Sequence, residues 1–238
     1  MKIDPEPDPA PALRLRNISK TFGGVKALQS VDFEVRAGEV HCLAGENGSG
    51  KSTLIKIVTG VQAPDPAAEF ELFGERVNTI SPTKARSLGI AVIWQDLALF
   101  PYMTVAENMG FSLKMAKVPK AQAREQVERA AEVLQITDYL DRSPRNLSGG
   151  QRQQVAVGRA LMTKPKVLML DEPTAGVSPI VMDELFDRIL EIRETGVAVL
   201  MVEQNARQAL NIADRGYVLV TGENRFTDTG EALLANPE

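Results

Sequence analysis

Apolar runs of strand length recur along the chain between amphipathic stretches of helical spacing, a pattern that predicts an α/β protein. Residues 12–17 and 31–36 alternate apolar and polar side chains, as half-buried strands do, with Phe22, Gly23 and Gly24 as a turn between them. Near-continuous apolar runs, expected for buried parallel strands, occupy residues 39–44, 89–94, 166–172 and 197–202. Further strands are predicted at residues 69–73 and 217–220.

Helical spacing predicts most of the remaining elements. Helices are expected at residues 51–59, 82–87, 118–134, 151–162, 183–194 and 204–213. Within residues 118–134, a narrow apolar stripe consists of Val127, Ala130, Ala131 and Leu134. Between residues 97 and 163 the sequence pattern becomes charged and helical, which predicts an inserted helical subdomain. Residues 1–11 carry prolines among acidic residues, and we expect them to form a disordered tail.

Composition limits the classes of protein that are compatible with this pattern. With 238 residues, 44% of them hydrophobic, the chain can bury the core of one α/β domain. A net charge of −4 shows no basic excess, so nucleic acid is not expected as the main partner. The single cysteine, Cys42, excludes a disulfide framework and fits a reducing cytosol. No apolar run approaches the ~20 residues that span a bilayer, so another chain would supply any membrane part.

The most specific motif lies between a predicted strand and a predicted helix. Residues 45–53 read GENGSGKST and complete the phosphate-binding pattern G-x-x-x-x-G-K-[ST]. Its glycines let successive N–H groups turn inward around phosphate oxygens, and the following helix N-terminus favours an anion. The candidate nucleotide-binding residues are Gly45, Asn47, Gly48, Ser49, Gly50, Lys51, Ser52 and Thr53. A glycine-rich turn in another kind of α/β protein is the alternative.

Polar residues close two of the apolar strands. Asp171 suits Mg²⁺ through water, and Glu172 can accept a proton from a water molecule that attacks the γ-phosphate. An acid pair that closes a surface strand would have no such role. Gln95 ends another strand, where it could reach the metal or the attacking water, although it could also be an ordinary strand-end residue.

Two further features are compatible with nucleotide binding. A predicted helix opens with Ser148, Gly149, Gly150 and Gln151, and its exposed amides could form a second anion site. A simple capped helix start is the alternative. Phe22 could stack on a nucleotide base beside the phosphate loop, or could be an ordinary core phenylalanine.

The phosphate loop, Gln95, residues 147–151 and residues 167–172 resemble, in their order and spacing, the nucleotide-binding domain of an ATP-binding cassette (ABC) transporter. The resemblance covers about residues 12–238. It implies an α/β, P-loop NTPase fold of the ABC type, with a mixed, mainly parallel sheet, an antiparallel β subdomain and an inserted α-helical subdomain. Residues 12–96 and 164–238 would form the core with the β subdomain. Residues 97–163 would form the helical subdomain with the signature motif.

The same resemblance implies ATP and Mg²⁺ as cofactors, and roles for single residues. Phe22 would stack on adenine. Lys51 and Ser52 would bind phosphates and Mg²⁺. Gln95 would sense the γ-phosphate and contact the metal, and Glu172 would be the general base.

The resemblance also implies partners. The signature residues Ser148, Gly149, Gly150 and Gln151 would serve the ATP held by a second ATPase subunit, so that two subunits meet head to tail. A membrane-spanning permease would be the other partner. The chain is then expected in the cytoplasm, at the inner face of the cell membrane.

Two positions depart from the family pattern. Ser178 stands where the family usually has an aspartate after the general base. Gln204 stands where most members have a histidine near the γ-phosphate. The only histidine, His41, lies on the strand before the phosphate loop and is expected to be structural.

The resemblance to subfamilies changes along the chain. Residues 14–110 resemble ATPases of monosaccharide importers, residues 113–171 those of oligosaccharide importers, and residues from 172 onward those of branched-chain amino acid importers. One hypothesis is that the chain is a composite, or chimera, of related ABC ATPases, and ordinary divergence is the alternative.

These observations predict an ATPase subunit that drives an importer, with a sugar as the expected solute. A soluble ABC ATPase of DNA maintenance or translation would need long coiled coils or a duplicated cassette, and the sequence has neither heptads nor a repeat. An ATP-binding scaffold with weak turnover remains the other alternative.

Overall fold

The computed structural model describes residues 10–236. The strands in chain order are β1 (Leu13–Phe22), β2 (Val25–Val35), β3 (Val40–Ala44), β4 (Glu69–Leu72), β5 (Glu75–Arg76), β6 (Ile90–Ile93), β7 (Val167–Asp171), β8 (Ala198–Glu203), β9 (Arg215–Val220) and β10 (Glu223–Thr229). The helices are α1 (Lys51–Val58), α2 (Pro82–Ser87), α3 (Val105–Met115), α4 (Lys120–Val133), α5 (Gly149–Leu161), α6 (Pro179–Glu194), α7 (Ala206–Ile212) and α8 (Gly230–Ala235), with short 3₁₀ turns at Thr137–Tyr139 and Pro144–Asn146.

The strands form two sheets. The central sheet has the order β10-β9-β3-β8-β7-β6, and all its neighbours are parallel except β10 and β9. Every residue of β3, β7 and β8 is buried, as expected for parallel strands covered on both faces. The second sheet is antiparallel, with the order β2-β1-β4-β5. The predicted fold class is confirmed.

Alternate residues of β7 enter two different cores, because successive side chains of a strand point to opposite faces. Leu168 and Leu170 pack in the core that contains apolar residues of α3, α4, α5 and α6. Val167 and Met169 pack in the core that contains α1 and the inner face of the second sheet. The phosphate-loop helix is therefore enclosed between two sheets.

Helices α3, α4 and α5 pack against one another in the segment between β6 and β7. The predicted apolar stripe of α4 is buried, and Leu134 at its end is fully buried. Gly158 of α5 allows close packing against α3 and the end of α4, since a Cβ atom there would lie 2.6 Å from Met109 Cε and 3.0 Å from Leu134 Cδ1. Among residues 10–236, no helix has both the length and the apolar character that crossing a bilayer requires.

Several details differ from the sequence-based expectation. The turn at Gly23 and Gly24 is the tip of one continuous hairpin, because β1 extends to Phe22 and β2 begins at Val25. Helix α6 begins at Pro179 rather than at residue 183, since proline fits the first helical position. Residues 1–9 of the predicted tail lie outside the described residues, and Pro11 is buried against the domain.

The pattern also omits α3, β10 and α8. Strand β10 is a polar edge strand with most residues exposed, so it lacks the apolar run by which the other central strands are recognised. Helix α3 is started by a reciprocal cap between Thr104 and Glu107, which is a sequence signal that could have located it.

Candidate active site

Parallel pairing brings the carboxyl ends of four strands to one edge of the central sheet. In β6 and β7, Ile93 pairs with Leu170, and in β7 and β8, Asp171 pairs with Val202. In β3 and β8, Ala44 pairs with Glu203. The residues that follow these strands therefore share this edge. They are the phosphate loop after β3, Gln204 after β8, Glu172 after β7 and Gln95 beyond β6.

The phosphate loop leads into α1 without a side-chain cap. Gly50 occupies the N-cap position with φ +104°, a backbone conformation that favours glycine, and the first turn of α1 has no acidic residue. The first amide groups of α1 are thus available to an anion, and the helix dipole favours it. Lys51 is only 4% exposed, and its Nζ donates to the carbonyl oxygens of Gly45 at 2.6 Å and of Glu46 at 3.0 Å. The cation is therefore held over the loop.

Two glycines of the loop are required by close packing. A Cβ atom on Gly45 would lie 2.5 Å from the backbone oxygen of Leu219, and one on Gly50 would lie 2.6 Å from that of Ala27. Strands β9 and β2 therefore press against the loop. Ser49 Oγ is buried and has no hydrogen-bond partner among the described residues, so its hydroxyl is free to donate to a phosphate oxygen.

The two acidic residues at the carboxyl end of β7 have different environments. Asp171 is 8% exposed, and burial raises the pKa of its carboxyl group; the charge of Glu172 raises it further, whereas Lys51 and Lys56 lower it. A cation beside Asp171 would favour the ionised form. Glu172 is less buried and has φ +47°, and its amide donates to Val202 O at 2.8 Å.

The donor set fits Mg²⁺ bound together with phosphate rather than by protein alone. The described residues contain no group of three or more His, Cys, Asp or Glu side chains arranged to hold a metal. Ser52 is exposed in the first turn of α1, and Asp171 ends β7 at the same edge of the sheet. One carboxylate, one hydroxyl and phosphate oxygens are the ligands that Mg²⁺ ordinarily takes in nucleotide sites.

An open cleft of about 470 Å³ borders this edge of the sheet. Its lining includes Glu172, Thr174, Glu203 and Gln204. Gln204 is exposed at the cleft, whereas Glu203 is only 3% exposed. Burial raises the pKa of Glu203, hydrogen bonds from Thr174 and the Gln204 amide lower it, and the charge of Glu172 raises it. Sequence reasoning missed Glu203, although a carboxylate at the end of an otherwise apolar strand is a recognisable signal.

Gln95 is exposed in the segment after β6, and that segment is tied to α5. Arg159 donates from Nη2 to Leu97 O at 2.6 Å and from Nη1 to Ala98 O at 2.8 Å. The hydrogen bonds fix the backbone only a few residues beyond Gln95. The loop that carries Gln95 is thereby attached to the C-terminal part of the signature helix.

The signature residues lie at the opposite end of α5. Ser148 Oγ accepts from the Gln151 amide at 3.2 Å, and Gln151 Oε1 accepts from the Ser148 amide at 2.9 Å, which is a complete capping box. Ten residues separate Gly149 from Arg159, or roughly 15 Å along a helix. The structure therefore does not bring Ser148 to the Gln95 segment. Gly150 packs instead on α6, where an added Cβ would lie 1.9 Å from Val181 Cγ1.

Phe22 is at the tip of the β1–β2 hairpin and is 41% exposed, so it is not a core residue. The Lys20 Nζ lies 5.3 Å from the centre of its ring. The same hairpin reaches the phosphate loop through Ala27, which faces Gly50. A partly exposed ring on this hairpin has a face available for stacking on a planar ligand.

Three other residues singled out by sequence have simple environments. His41 is buried, with Nε2 2.7 Å from Glu39 Oε2. Cys42 is a free, buried thiol, and burial raises its pKa to about 12. Ser178 is the N-cap residue of α6, without a side-chain cap hydrogen bond.

A phosphate loop that opens an uncapped helix, next to a buried aspartate and a neighbouring glutamate, defines the class of P-loop nucleotide-binding domains. Residues 28–175 match the family model described as ABC transporter. The chain belongs to the ABC transporter family and is an ATPase of that family's ATP-binding type.

Related proteins agree with this assignment. BraG of Pseudomonas aeruginosa, a high-affinity branched-chain amino acid transport ATP-binding protein, is 38% identical over 228 residues, 95% of this chain and 96% of BraG. XylG of Sulfolobus acidocaldarius, a xylose/arabinose import ATP-binding protein, is 39% identical over 218 residues, 90% of this chain and 86% of XylG. The ADP conformation of MJ1267, an ATP-binding cassette of an ABC transporter, superposes with a TM-score of 0.87 at 31% identity, covering 96% of both chains.

Other relatives are longer than this chain. It spans 59% of an sn-glycerol-3-phosphate import ATP-binding protein, 58% of an alpha-glucoside transport ATP-binding protein and 56% of a maltose/maltodextrin import ATP-binding protein. The part shared with those relatives is the ATP-binding domain described above.

Proposed function

We propose that the chain hydrolyses ATP as the ATP-binding subunit of an ABC importer. The observation that carries the proposal is the shared sheet edge, where Asp171 ends β7 and where the phosphate loop, Glu172 and Gln204 follow β3, β7 and β8. Residues 12–96 and 164–238 act as the catalytic core with its β subdomain, and residues 97–163 act as the helical subdomain.

Different residues of the site are proposed to bind the phosphates, the adenine and the Mg²⁺ ion of ATP. Lys51 and the free amides at the start of α1 bind the phosphates of ATP, and Phe22 stacks on adenine. When bound with ATP, Mg²⁺ neutralises charge on the β- and γ-phosphates, and Ser52, Gln95 and Asp171 are the residues that would hold it.

Hydrolysis requires that water attack the γ-phosphorus. A bond forms from the water oxygen to phosphorus, the bond from phosphorus to the β–γ bridging oxygen breaks, and Glu172 takes the proton that water releases. Gln204 donates a hydrogen bond to the γ-phosphate, where negative charge spreads in the transition state.

Replacement of the general base tests the proposal. Glu172→Gln keeps the size and hydrogen bonding of the side chain but removes the proton acceptor, so phosphate release should fall by about 10²-fold or more. ATP affinity, measured by equilibrium binding, should be nearly unchanged, and the ATP-bound dimer should accumulate in size-exclusion chromatography. Turnover close to that of the unmodified chain would remove Glu172 from this role.

Two such subunits pair head to tail in the proposed assembly. The signature residues from Ser148 to Gln151 lie away from the Gln95 segment of their own chain, and the exposed start of α5 can face the phosphates held by the other subunit. Each ATP would then lie between the phosphate loop of one subunit and the signature residues of its partner. A separate membrane-spanning permease binds the pair at the inner face of the membrane.

A sugar is the proposed solute. Its support is the monosaccharide-importer character of residues 14–110 and the similarity to XylG over most of the chain. Branched-chain amino acids are the second candidate, because the similarity to BraG extends over 95% of the chain. Recovery of the permease with a tagged chain, followed by uptake of labelled pentose and labelled leucine into vesicles that contain the complex, separates the two.

An ATP-binding scaffold with weak turnover is the alternative function, and the neutral Gln204 favours it. A phosphate-release assay on the purified chain decides between them.

We also infer that the chain is a composite of related ABC ATPases. Its basis is the change in subfamily resemblance along the chain; the overall identities to relatives of different importer types are similar and do not by themselves separate a composite from ordinary divergence. A natural protein that matched residues 14–110, 113–171 and 172–238 equally well would contradict this inference.

A further inference from the structure

Glu203 is a buried carboxylate in the cleft that no motif accounts for. It is the last residue of β8 and is 3% exposed. Its Oε1 accepts two hydrogen bonds from one residue, from the Thr174 amide at 3.0 Å and from Thr174 Oγ1 at 2.8 Å. Since a buried carboxylate without partners is strongly destabilising, these bonds explain how the group is accommodated there.

Thr174 belongs to the turn that carries the proposed general base. Glu172 has φ +47°, a left-handed conformation that is disfavoured for residues other than glycine. Such a conformation persists only where surrounding contacts impose it. The Glu172 amide donates to Val202 O at 2.8 Å, and Thr174, two residues later, is held by Glu203. Adjacent residues of β8 thus hold the backbone at Glu172 and just beyond it.

The two attachments differ in what they require of the sequence. The bond to Val202 involves only main-chain atoms, so any residue at position 202 can make it. The bonds to Thr174 involve the Glu203 side chain, so they depend on the residue at position 203. Gln204, which also lines the cleft, directly follows Glu203 at the end of β8. The end of β8 therefore carries both the residue that holds Thr174 and the proposed γ-phosphate donor.

We propose that Glu203 is a positioning residue for Glu172. Its carboxylate fixes the turn around residue 172 through Thr174, so that the Glu172 side chain points to the attacking water. The inference rests on the proposed function, because it assigns a role in the same reaction. A general base must lie within hydrogen-bond reach of its proton, and a displacement of about 1 Å can lower a rate by about 10²-fold.

Substitutions on both sides of the contact test the proposal. Glu203→Ala removes the acceptor, and kcat for phosphate release should fall by about 10- to 100-fold with ATP affinity unchanged. Glu203→Gln keeps an oxygen that accepts from Thr174, and it should recover most of the loss. Thr174→Val removes one of the two donors and should lower kcat by less, whereas Thr174→Ser keeps the hydroxyl and should act like the unmodified chain.

A double-mutant cycle distinguishes the loss of the Glu203–Thr174 contact from a general destabilisation of the protein. If Glu203 acts through Thr174, Glu203→Ala combined with Thr174→Val should be no slower than Glu203→Ala alone. Tyr217→Phe is the control, because it removes two part-buried hydrogen bonds away from the cleft, one donated by Tyr217 Oη to Glu34 O at 3.0 Å and one accepted from the Glu34 amide at 3.3 Å. It should lower the melting temperature and leave kcat unchanged.

Each other outcome overturns the proposal in a recognisable way. An unchanged kcat in Glu203→Ala means that the turn does not need this carboxylate. A Glu203→Gln variant as slow as Glu203→Ala, with Thr174→Val fully active, means that Glu203 handles a proton itself. Additive losses in the cycle mean that the two residues act separately. Failure of the proposed function would look different, since the unmodified chain would then release little or no phosphate, whereas an active Glu172→Gln variant would remove only Glu172 from the role of base.

Discussion

Two helices begin at glycine-rich segments, and they begin in different ways. Helix α1 follows Gly50, which provides no side-chain cap, and its first turn has no acidic residue. Helix α5 follows Ser148, whose hydroxyl and amide are both paired with Gln151. The first helix start leaves its amides for a ligand, whereas the second satisfies part of its own hydrogen bonding.

The two helix starts also differ in how far their residues are buried. The α1 start is partly enclosed, because Lys51 is buried and two glycines of the loop are pressed by β2 and β9, while Ser52 is exposed. The α5 start is exposed at Ser148 and Gly149. A partly enclosed, uncapped start suits a phosphate site formed within one chain. An exposed, capped start suits a surface that contacts a ligand held elsewhere, which is the reason for assigning it to the partner's ATP.

The strongest test inactivates each helix start separately. Lys51→Ala should abolish ATP binding by the monomer. Ser148→Arg should lower the rate of phosphate release by about 10²-fold or more and leave ATP binding by the monomer nearly unchanged. Both are measured by equilibrium ATP binding and phosphate release. Ser148→Thr is the control, because it keeps a capping hydroxyl.

Mixing the two inactive variants sharpens this test. In a head-to-tail pair of one Lys51→Ala chain and one Ser148→Arg chain, one site has an intact phosphate loop and intact signature residues. Phosphate release should therefore reappear on mixing and increase with protein concentration until dimers saturate. A mixture that stays inactive while both variants still form dimers would indicate that the two helix starts do not act across a subunit boundary.

A smaller effect is expected from the packing of the α5 start. Gly150→Ala places a Cβ 1.9 Å from Val181 Cγ1, and separating α5 from α6 should lower the free energy of unfolding by about 1–3 kcal/mol. Gly149→Ala is the matched control, since its nearest neighbour would be Val177 Cγ1 at 3.9 Å. Chemical denaturation of both variants measures the difference. Equal stability would show that α6 moves aside freely.

The smallest effect is expected from a change of charge at Gln204, which is proposed to face the γ-phosphate bound at the start of α1. Gln204→His can place a positive charge near the γ-phosphate, so kcat should rise several-fold, by roughly 1 kcal/mol of transition-state stabilisation, with little change in KM. The gain should be largest below about pH 6.5, where imidazole is protonated, and should decrease as the pH rises. An unchanged or lower kcat across this range would place Gln204 away from the γ-phosphate.

Local sequence signals predicted the parts of the molecule that depend on near neighbours. Residues 45–53 predicted the loop before α1, because the motif combines glycines, lysine and hydroxyl residues within one turn of chain. The apolar runs predicted β3, β6, β7 and β8 as buried strands, with Gln95, Asp171 and Glu172 at their ends. Strand β10 was missed because a polar edge strand needs only its neighbour β9 for pairing.

No local sequence signal predicted the contacts between residues that are far apart in the chain. Phe22 could be a core or an exposed residue until the hairpin of β1 and β2 placed it at the tip. Glu203 and Thr174 are 29 positions apart, and Arg159 lies 61 positions from Ala98. These pairs form because parallel strands and packed helices bring remote segments together, which no periodicity in one segment describes.

Residue types within a few positions are enough to predict the phosphate loop and the strands that carry the acidic residues, and the order and spacing of the motifs predict the class of the protein. Long-range packing was needed to show that four strand ends share one edge, that β8 holds the turn at Glu172, and that the start of α5 is remote from the Gln95 segment. Backbone angles and strand periodicity are local preferences. The pairing order of strands and the position of a helix on a sheet are instead set by the burial of surfaces that come from the whole chain.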